Sequence, residues 1–414
     1  MDRRSNQNQS KVEGNKDKST KYGAQTNNFS EDVEEKDMKG EEKNNFILHA
    51  HSKDLMNKKI NVGVTFESSF LIQGLSRDLS IHCLLKLSRS DYGLIATLNK
   101  SFRSLIKTGE LYKLRKKIGI LEHWIYFSSE VLQWEAFDPN RNRWMHLPKI
   151  NSEKVQVFGS LAVGTELLVI GTKLMDPIIY KYSLLTNTWS VGKMLQTPRR
   201  MFGYASLGEI GIIAGGVDEG GKTLSSAELY DSNTGKWETL PKMNTPRIMC
   251  SCVFMEGKFY VIGGIGAYDK THLTCGEEFD MKTKEWRVIP NMFPIQNSMF
   301  GAPFIFKSLH SYAAVKNVLY AADYAQQEIK KFDKDTHSWV IIGTFPNHDT
   351  SVDVWGLSFH SCGDRLLFFG GCHIYGKDMI EIYSWVADEG VPHWKLLARK
   401  KSLKFMHNCA VMGC

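Results

Sequence analysis

The sequence predicts a mainly β protein in which six copies of one four-stranded unit close into a six-bladed β-propeller, behind a small helical segment and a polar amino-terminal tail. Two observations carry this reading. Six tryptophans recur from residue 144 onward, each after another large aromatic: Phe137 with Trp144, Tyr182 with Trp189, Tyr230 with Trp237, Phe279 with Trp286 and Phe332 with Trp339 are seven positions apart, and Trp385 with Trp394 nine. By subtraction, successive anchor tryptophans lie 45, 48, 49, 53 and 55 residues apart. That period is too long for a helical solenoid unit and suits one propeller blade.

Each repeat has the same internal order. Apolar runs end in glycine pairs, as at 210–214 before Gly215-Gly216, 253–262 before Gly263-Gly264 and 366–369 before Gly370-Gly371. Short apolar runs bounded by glycine read as buried strands, and glycine there permits positive φ and close backbone approach. Between each aromatic and its tryptophan lie turn-forming residues, Asp-Ser-Asn-Thr-Gly-Lys at 231–236 being typical. The aromatic therefore closes one strand and the tryptophan opens the next. Burying about 200 Å² per ring at roughly 25 cal/mol per Å² gives at most about 5 kcal/mol each, so both rings are read as core.

The ring closes through the chain's end. The first repeat begins at His123-Trp124-Ile125-Tyr126, which corresponds to a second strand, and residues 405–412 resemble the first strands near Phe202 and Cys250. The last segment is expected to complete the first blade and so remove exposed sheet edges.

Upstream, residues 1–60 are rich in Asn, Lys, Glu, Ser and Gly with both charge signs mixed, a composition that predicts disorder. No apolar core follows the basic start, as a secretion signal would require, and no run approaches the roughly 18 apolar residues of a membrane span. From Phe70 to about Leu114 the period becomes helical. Tyr92, Ile95, Leu98, Phe102, Leu105 and Ile106 are expected on one face of a single helix, with Ser88 or Ser90 as cap. Asp78-Leu79 with Leu84, Leu85 and Leu87 predicts a shorter helix before it.

The Gly-Gly doublet followed by spaced Tyr and Trp resembles the kelch repeat over about 120–414. The doublet is replaced by Ser128-Ser129, Gly171-Thr172 and Ala321-Ala322 in the first, second and fifth repeats, where the aromatic pair keeps the phase. Leu75, Asp78, Leu79, Leu84, Leu87, Leu98, Lys100, Phe102, Arg103, Leu105 and Ile106 resemble an F-box. Ser76 stands for its usual proline, Cys83 for an aliphatic residue, Asn99 for a cysteine and Phe102 for a tryptophan. The whole arrangement is similar to the plant F-box/kelch-repeat proteins, with a tail at 1–60, an F-box at 69–115 and a propeller at 120–414. The resemblance implies a substrate-receptor subunit of a cullin ubiquitin ligase. Leu75, Asp78, Leu79, Leu84, Leu87, Leu98 and Phe102 would meet a Skp-type adaptor, while the propeller holds a target protein. The linker 116–122 is short enough to restrict the angle between the two parts. A scaffold that binds a partner without ubiquitin transfer is the alternative.

Binding residues concentrate on variable loops over rigid scaffolds. The loops after each small-residue pair offer Asp218, Glu219, Lys222, Tyr268, Lys270, His272, Asp323, Tyr324, His373, Tyr375 and Lys377, with Arg199, Arg200 and Arg247 expected to line the same mouth. Nothing points to catalysis: no His-Glu-x-x-His, Gly-x-x-x-x-Gly-Lys or Gly-x-Ser-x-Gly stretch occurs, and His272 and His373 lack a metal-ligand spacing. The reading is therefore a non-enzyme without cofactor or metal. Eight cysteines contain no Cys-x-x-Cys. Cys250 and Cys252 read as small core residues, and thiols fit an intracellular setting, nucleus or cytoplasm. A net charge of +7 is modest for 414 residues, and the clusters at 113–117 and 399–401 read as solvated surface rather than a nucleic-acid site.

Overall fold

The paired aromatics face each other across hairpins. Phe137 lies opposite Trp144, Tyr182 opposite Trp189, Tyr230 opposite Trp237, Phe279 opposite Trp286 and Phe332 opposite Trp339. In four of these five hairpins an aspartate opens the turn, its Oδ1 accepting from the amide two residues on: Asp138 from Asn140 (3.0 Å), Asp231 from Asn233 (2.9 Å), Asp280 from Lys282 (2.8 Å) and Asp333 from Asp335 (2.9 Å); Ser183 stands there in the second. This side-chain mimicry of a backbone turn is what those aspartates supply. In the sixth unit a bulge between Ile382 and Tyr383 shifts the register by one, so that Ser384 pairs with Lys395 and Trp385 comes opposite Trp394, their ring centroids 6.0 Å apart.

The computed structural model describes residues 71–130, 132–268, 271–294, 310–346, 358–374, 377–387, 390–401 and 408–414. The tail predicted at 1–60 lies outside them. Six four-stranded antiparallel sheets form the blades. Their innermost strands are Asn408–Gly413, Val155–Val163, Gly203–Leu207, Ser251–Met255, His310–Val315 and Ser358–Cys362. As the end repeats predicted, Asn408–Gly413 is the inner strand of blade 1. It pairs with His123–Glu130 from His123 opposite Gly413 to Ser128 opposite Asn408.

The rings divide their labour in a way the sequence did not disclose. Phe137, Tyr182, Tyr230, Phe279 and Phe332 are buried, as is Trp237, but Trp144, Trp189, Trp286, Trp339 and Trp394 are only half-buried. They sit on the outermost strands, where a blade meets its neighbour at the rim. From the second blade on, the indole N–H reaches back one blade: Trp189 donates to the Pro148 carbonyl (2.7 Å), Trp237 to Lys193 (2.9 Å), Trp286 to Pro241 (2.8 Å), Trp339 to Asn291 (3.2 Å) and Trp394 to Thr344 (3.0 Å). The tryptophan thus staples blades as well as filling the wedge between them.

Two of the glycine doublets have the positive φ expected, 66° and 93° at Gly215 and Gly216 and 60° and 88° at Gly263 and Gly264, whereas Gly370 and Gly371 lie within the extended strand Arg365–Ile374. The close approach is not toward the central channel. A Cβ on Gly215 would lie 2.4 Å from the Arg247 carbonyl oxygen, and one on Gly216 2.7 Å from that of Arg200. Both oxygens belong to the connections that lead into first strands.

Four short helices precede the propeller: α1 Arg77–Leu85, α2 Tyr92–Leu98, α3 Lys100–Lys107 and α4 Glu110–Lys117. Ser76 caps α1, its Oγ accepting from Leu79 N at 3.3 Å, and Ser88 caps a 3₁₀ turn at Arg89–Asp91. The single helix expected through 92–106 is instead two. Asn99 is extended (φ −159°, ψ 170°), and its Oδ1 accepts from Phe102 N at 2.8 Å. Asparagine is among the strongest N-caps, so it ends α2 and starts α3, and Leu98 is turned to solvent. Ile81, Leu84, Leu85, Tyr92, Ile95, Phe102, Leu105, Leu111 and Tyr112 share one hydrophobic cluster with Trp124, Tyr126, Trp134 and Tyr182 of blades 1 and 2. Helices and propeller belong to one compact unit, Ser69–Cys414.

Phe279→Ala, which empties a fully buried ring site, is expected to cost about 3–5 kcal/mol. Trp237→Phe, which removes one inter-blade hydrogen bond, should cost about 1 kcal/mol. Urea unfolding measures both, and equal costs would show that the two rings do not differ in role.

Candidate protein-interaction sites

The junction between helices and propeller is polar at its centre. Glu122 Oε1 accepts from Arg115 Nη2 (2.8 Å), and Oε2 from Ser88 Oγ (3.0 Å) and the Arg89 amide (3.2 Å). Arg115 also donates to the carbonyls of Leu85 (3.2 Å) and Leu87 (2.6 Å). Arg89 lies over the Trp124 ring, 4.0 Å from its centroid, and donates to Tyr126 Oη (3.2 Å) and the Glu122 carbonyl (3.2 Å). Glu122 and Cys414 exchange backbone hydrogen bonds at 3.1 and 3.2 Å. Buried guanidinium groups are tolerated when paired and hydrogen-bonded. These contacts fix the helical segment to the strand that closes the ring. From sequence, Glu122 was only the end of a linker.

The helices carry an exposed apolar surface. Leu79, Leu87 and Leu98 are 56%, 40% and 53% exposed, and Asp78 is exposed beside them in the first turn of α1. Leu94, which the sequence reading missed, is 70% exposed; its i,i+4 spacing with Leu98 puts both on one face of α2. Two expected adaptor residues are placed elsewhere. Leu84 and Phe102 are 4% and 7% exposed and belong to the cluster shared with the propeller, and Leu75 is half-buried. A periodic apolar pattern does not tell a residue that packs inward from one that waits for a partner.

In antiparallel blades, turns joining first to second strands lie at one end and loops joining second to third strands at the other. The helices occupy the first end: Lys116 Nζ is 2.9 Å from Glu209 Oε1 in the turn of blade 3. The loops with Asp218, Tyr268, Tyr324 and His373 therefore project from the far face. Tyr268 is 95% exposed, and Arg200, Glu219 and Lys222 are exposed. Asp218 is half-buried, its Oδ1 accepting the Lys222 amide at 2.9 Å. His272 stacks on Phe293, with centroids 6.2 Å apart, and Tyr324 packs against Phe345 at 5.5 Å. His373 pairs with Asp378 in the blade 6 ladder; Tyr375 and Lys270 lie outside the described residues.

Three expected surface residues are interior. Arg199 donates to Glu228 Oε1 (2.6 Å) and to the carbonyls of Ser226 (2.8 Å) and Gly215 (3.1 Å). Arg247 repeats this one blade on, with Glu277 Oε1 (2.6 Å) and the Gly263 carbonyl (2.9 Å). Both side chains are fully buried, which removes them from any mouth and makes them anchors for the glycine-doublet loops. Asp323 is buried and paired with Lys330 at 2.7 Å. The signal was available in sequence: each arginine follows Thr-Pro, and a glutamate stands 29 or 30 residues later.

A central cavity of about 640 Å³ runs between the inner strands. Cys250 and Cys252 border it and pack on Gly203, where an added Cβ would lie 2.9 and 2.5 Å from the two sulfurs. His360 also borders it, 2.5 Å from Ser358 Oγ. Its ring stands edge-on to Phe369, with centroids 6.1 Å apart, and burial lowers its pKa to about 4. Among the described residues no group of three or more His, Cys, Asp or Glu is placed to hold a metal, and no helix is long and apolar enough to cross a membrane.

Fold and surfaces define a propeller-based interaction protein with a helical module fixed to one face. The kelch motif matches residues 198–244 and 246–293. The F-box/kelch-repeat protein SKIP11 of Arabidopsis thaliana is 50% identical over 361 residues, covering 86% of this chain and 77% of its own. Two further F-box/kelch-repeat proteins of that plant are 47% and 48% identical, over 85% and 84% of this chain and 85% and 80% of theirs. The chain belongs to the F-box/kelch-repeat family.

Glu122→Ala would strand the buried Arg115 guanidinium and leave Ser88 Oγ and the Arg89 amide without their acceptor, and is expected to cost about 3–5 kcal/mol, seen as a lower unfolding midpoint; an unchanged midpoint would deny the junction its role. His360 is neutral in the folded state down to about pH 4 but titrates near 6.5 when unfolded. Its contribution is present above about pH 6.5 and is lost as pH falls toward 4. His360→Gln should therefore flatten the fall of the unfolding midpoint between pH 6.5 and 4 relative to the native chain.

Proposed function

We propose that this chain is the substrate-receptor subunit of a cullin-based ubiquitin ligase, its helices docked on a Skp-type adaptor and its far propeller face holding a target protein. The observation that carries the reading is the set of exposed leucines, Leu79, Leu87, Leu94 and Leu98, on helices whose other faces are packed into the propeller. Exposed apolar side chains on an otherwise satisfied helical module mark a partner site. The names of the relatives support the F-box assignment. In this reading the propeller binds rather than catalyses, no cofactor takes part, and the protein acts inside the cell, in nucleus or cytoplasm, where its cysteines persist as thiols.

The direction of the two surfaces supports it further. The adaptor face and the loop face lie at opposite ends of the ring, and the Glu122 junction holds them at a set angle. Such spacing suits a subunit that must present a bound target to a distant transferase.

A pull-down of the full chain with purified Skp-type adaptor tests the reading. The native chain should bind, and Leu79→Glu/Leu87→Glu should not. Leu94→Glu alone should weaken binding at least tenfold, about 1.4 kcal/mol, while its unfolding midpoint stays within about 2 °C because the side chain is exposed. No binding by the folded native chain would sink the receptor role and leave the scaffold as the reading.

A further inference from the structure

The loop face carries a feature that breaks a local rule. Strands Glu166–Lys173 and Asp176–Ser183 of blade 2 are joined by a two-residue hairpin in which Lys173 pairs with Asp176. The two turn residues are Leu174 and Met175, at φ of 52° and 79°. A hairpin with positive φ at both central positions is the habitat of Asn-Gly and Asp-Gly, because a Cβ is disfavoured there. Leu174 and Met175 are also 59% and 82% exposed. Two large apolar side chains are thus held in an unfavourable backbone conformation and offered to water, and such violations collect at functional sites.

Met175 forms the rim of a cavity of about 310 Å³ between blades 2 and 3. Phe158, Ile178, Ile179, Met194 and Val217 line its interior. The volume is at the lower end of binding-pocket sizes and takes one large side chain. Methionine at the rim and wall suits a site that adapts to its occupant.

One wall is charged. Arg200 is exposed at the cavity, and its backbone is pinned by two hydrogen bonds to Val217, at 3.0 and 2.8 Å. Its neighbour Arg199 is consumed by Glu228, but among the described residues the Arg200 guanidinium has no ion-pair partner. Of the acids across the cavity, Asp218 holds the Lys222 amide, and Glu219 stands at the loop tip before Gly220-Gly221. A pinned, unpaired guanidinium beside an apolar hole is a fork for a carboxylate.

We propose that this cavity is a target-recognition subsite, taking an extended segment of the target protein in which one bulky aliphatic or aromatic side chain is followed or preceded by an acidic residue. The apolar side chain enters between blades 2 and 3 against Met175 and Met194, and the carboxylate meets Arg200. This rests on the reading of the loop face as the target face and names what that face selects.

The probe is a displayed library of random twelve-residue peptides selected on the full chain, with the enriched peptides then measured by fluorescence anisotropy. The variant Leu174→Asn/Met175→Gly gives the turn its preferred residues, so it keeps the fold and removes only the apolar rim. Peptides pairing a large apolar residue with Asp or Glu should be enriched and should bind this variant at least tenfold more weakly. Arg200→Glu should reverse the preference from acidic to basic neighbours. Binding unchanged within twofold in both variants would overturn the subsite; if Tyr268→Ala abolished it instead, the target face would stand with its site on another loop. Failure to enrich any peptide would also overturn the subsite, and adaptor binding, measured separately, would still decide the receptor role.

Discussion

Every directional property of this molecule depends on Glu122. Its carboxylate is shared between Arg115, which holds the carbonyls ending α1, and the Ser88-Arg89 turn that precedes α2, while its backbone pairs with Cys414 beside the strand that closes the ring. Three segments distant in sequence meet on one residue. Ionic groups in such a place contribute little net stability compared with an apolar packing. What they contribute is direction, since hydrogen bonds fix angles that a leucine cluster leaves loose. The apolar cluster around Tyr92, Trp124 and Trp134 supplies adhesion, and the arginines and glutamate decide the pose.

The same logic recurs inside the ring. Arg199 with Glu228 and Arg247 with Glu277 are successive copies of one device. Each guanidinium gathers the carbonyls of a glycine-doublet loop and fastens it to a third strand. The loop face is thereby a rigid platform, and variety is confined to the tips, where Tyr268, Glu219 and Met175 stand free of the scaffold. Such a separation lets the residues at the tips vary without disturbing the blades.

The propeller was legible because its signals are local and repeated. A seven-residue aromatic spacing becomes a cross-strand pair through one hairpin, and an Asp in the turn can be recognised without knowing what surrounds it. The closing strand was legible because the first repeat lacked one. The helical segment was less so: its apolar residues were found, but Asn99 was read as one helix position instead of a cap, and Leu84 and Phe102 were assigned outward when the propeller claims them. Arg199, Arg247 and Asp323 were placed at the surface from their strand-entry and loop positions, which do not show that Glu228, Glu277 and Lys330 claim them in the interior.

Blade count, hairpins, closure and the presence of a helical module all follow from short-range periodicity along the chain. Which leucines remain exposed, which arginines are consumed by glutamates, and where Met175 and Arg200 meet around a cavity are settled in three dimensions. Those outcomes depend on which side chains from remote segments compete for the same space, and no local pattern records that competition.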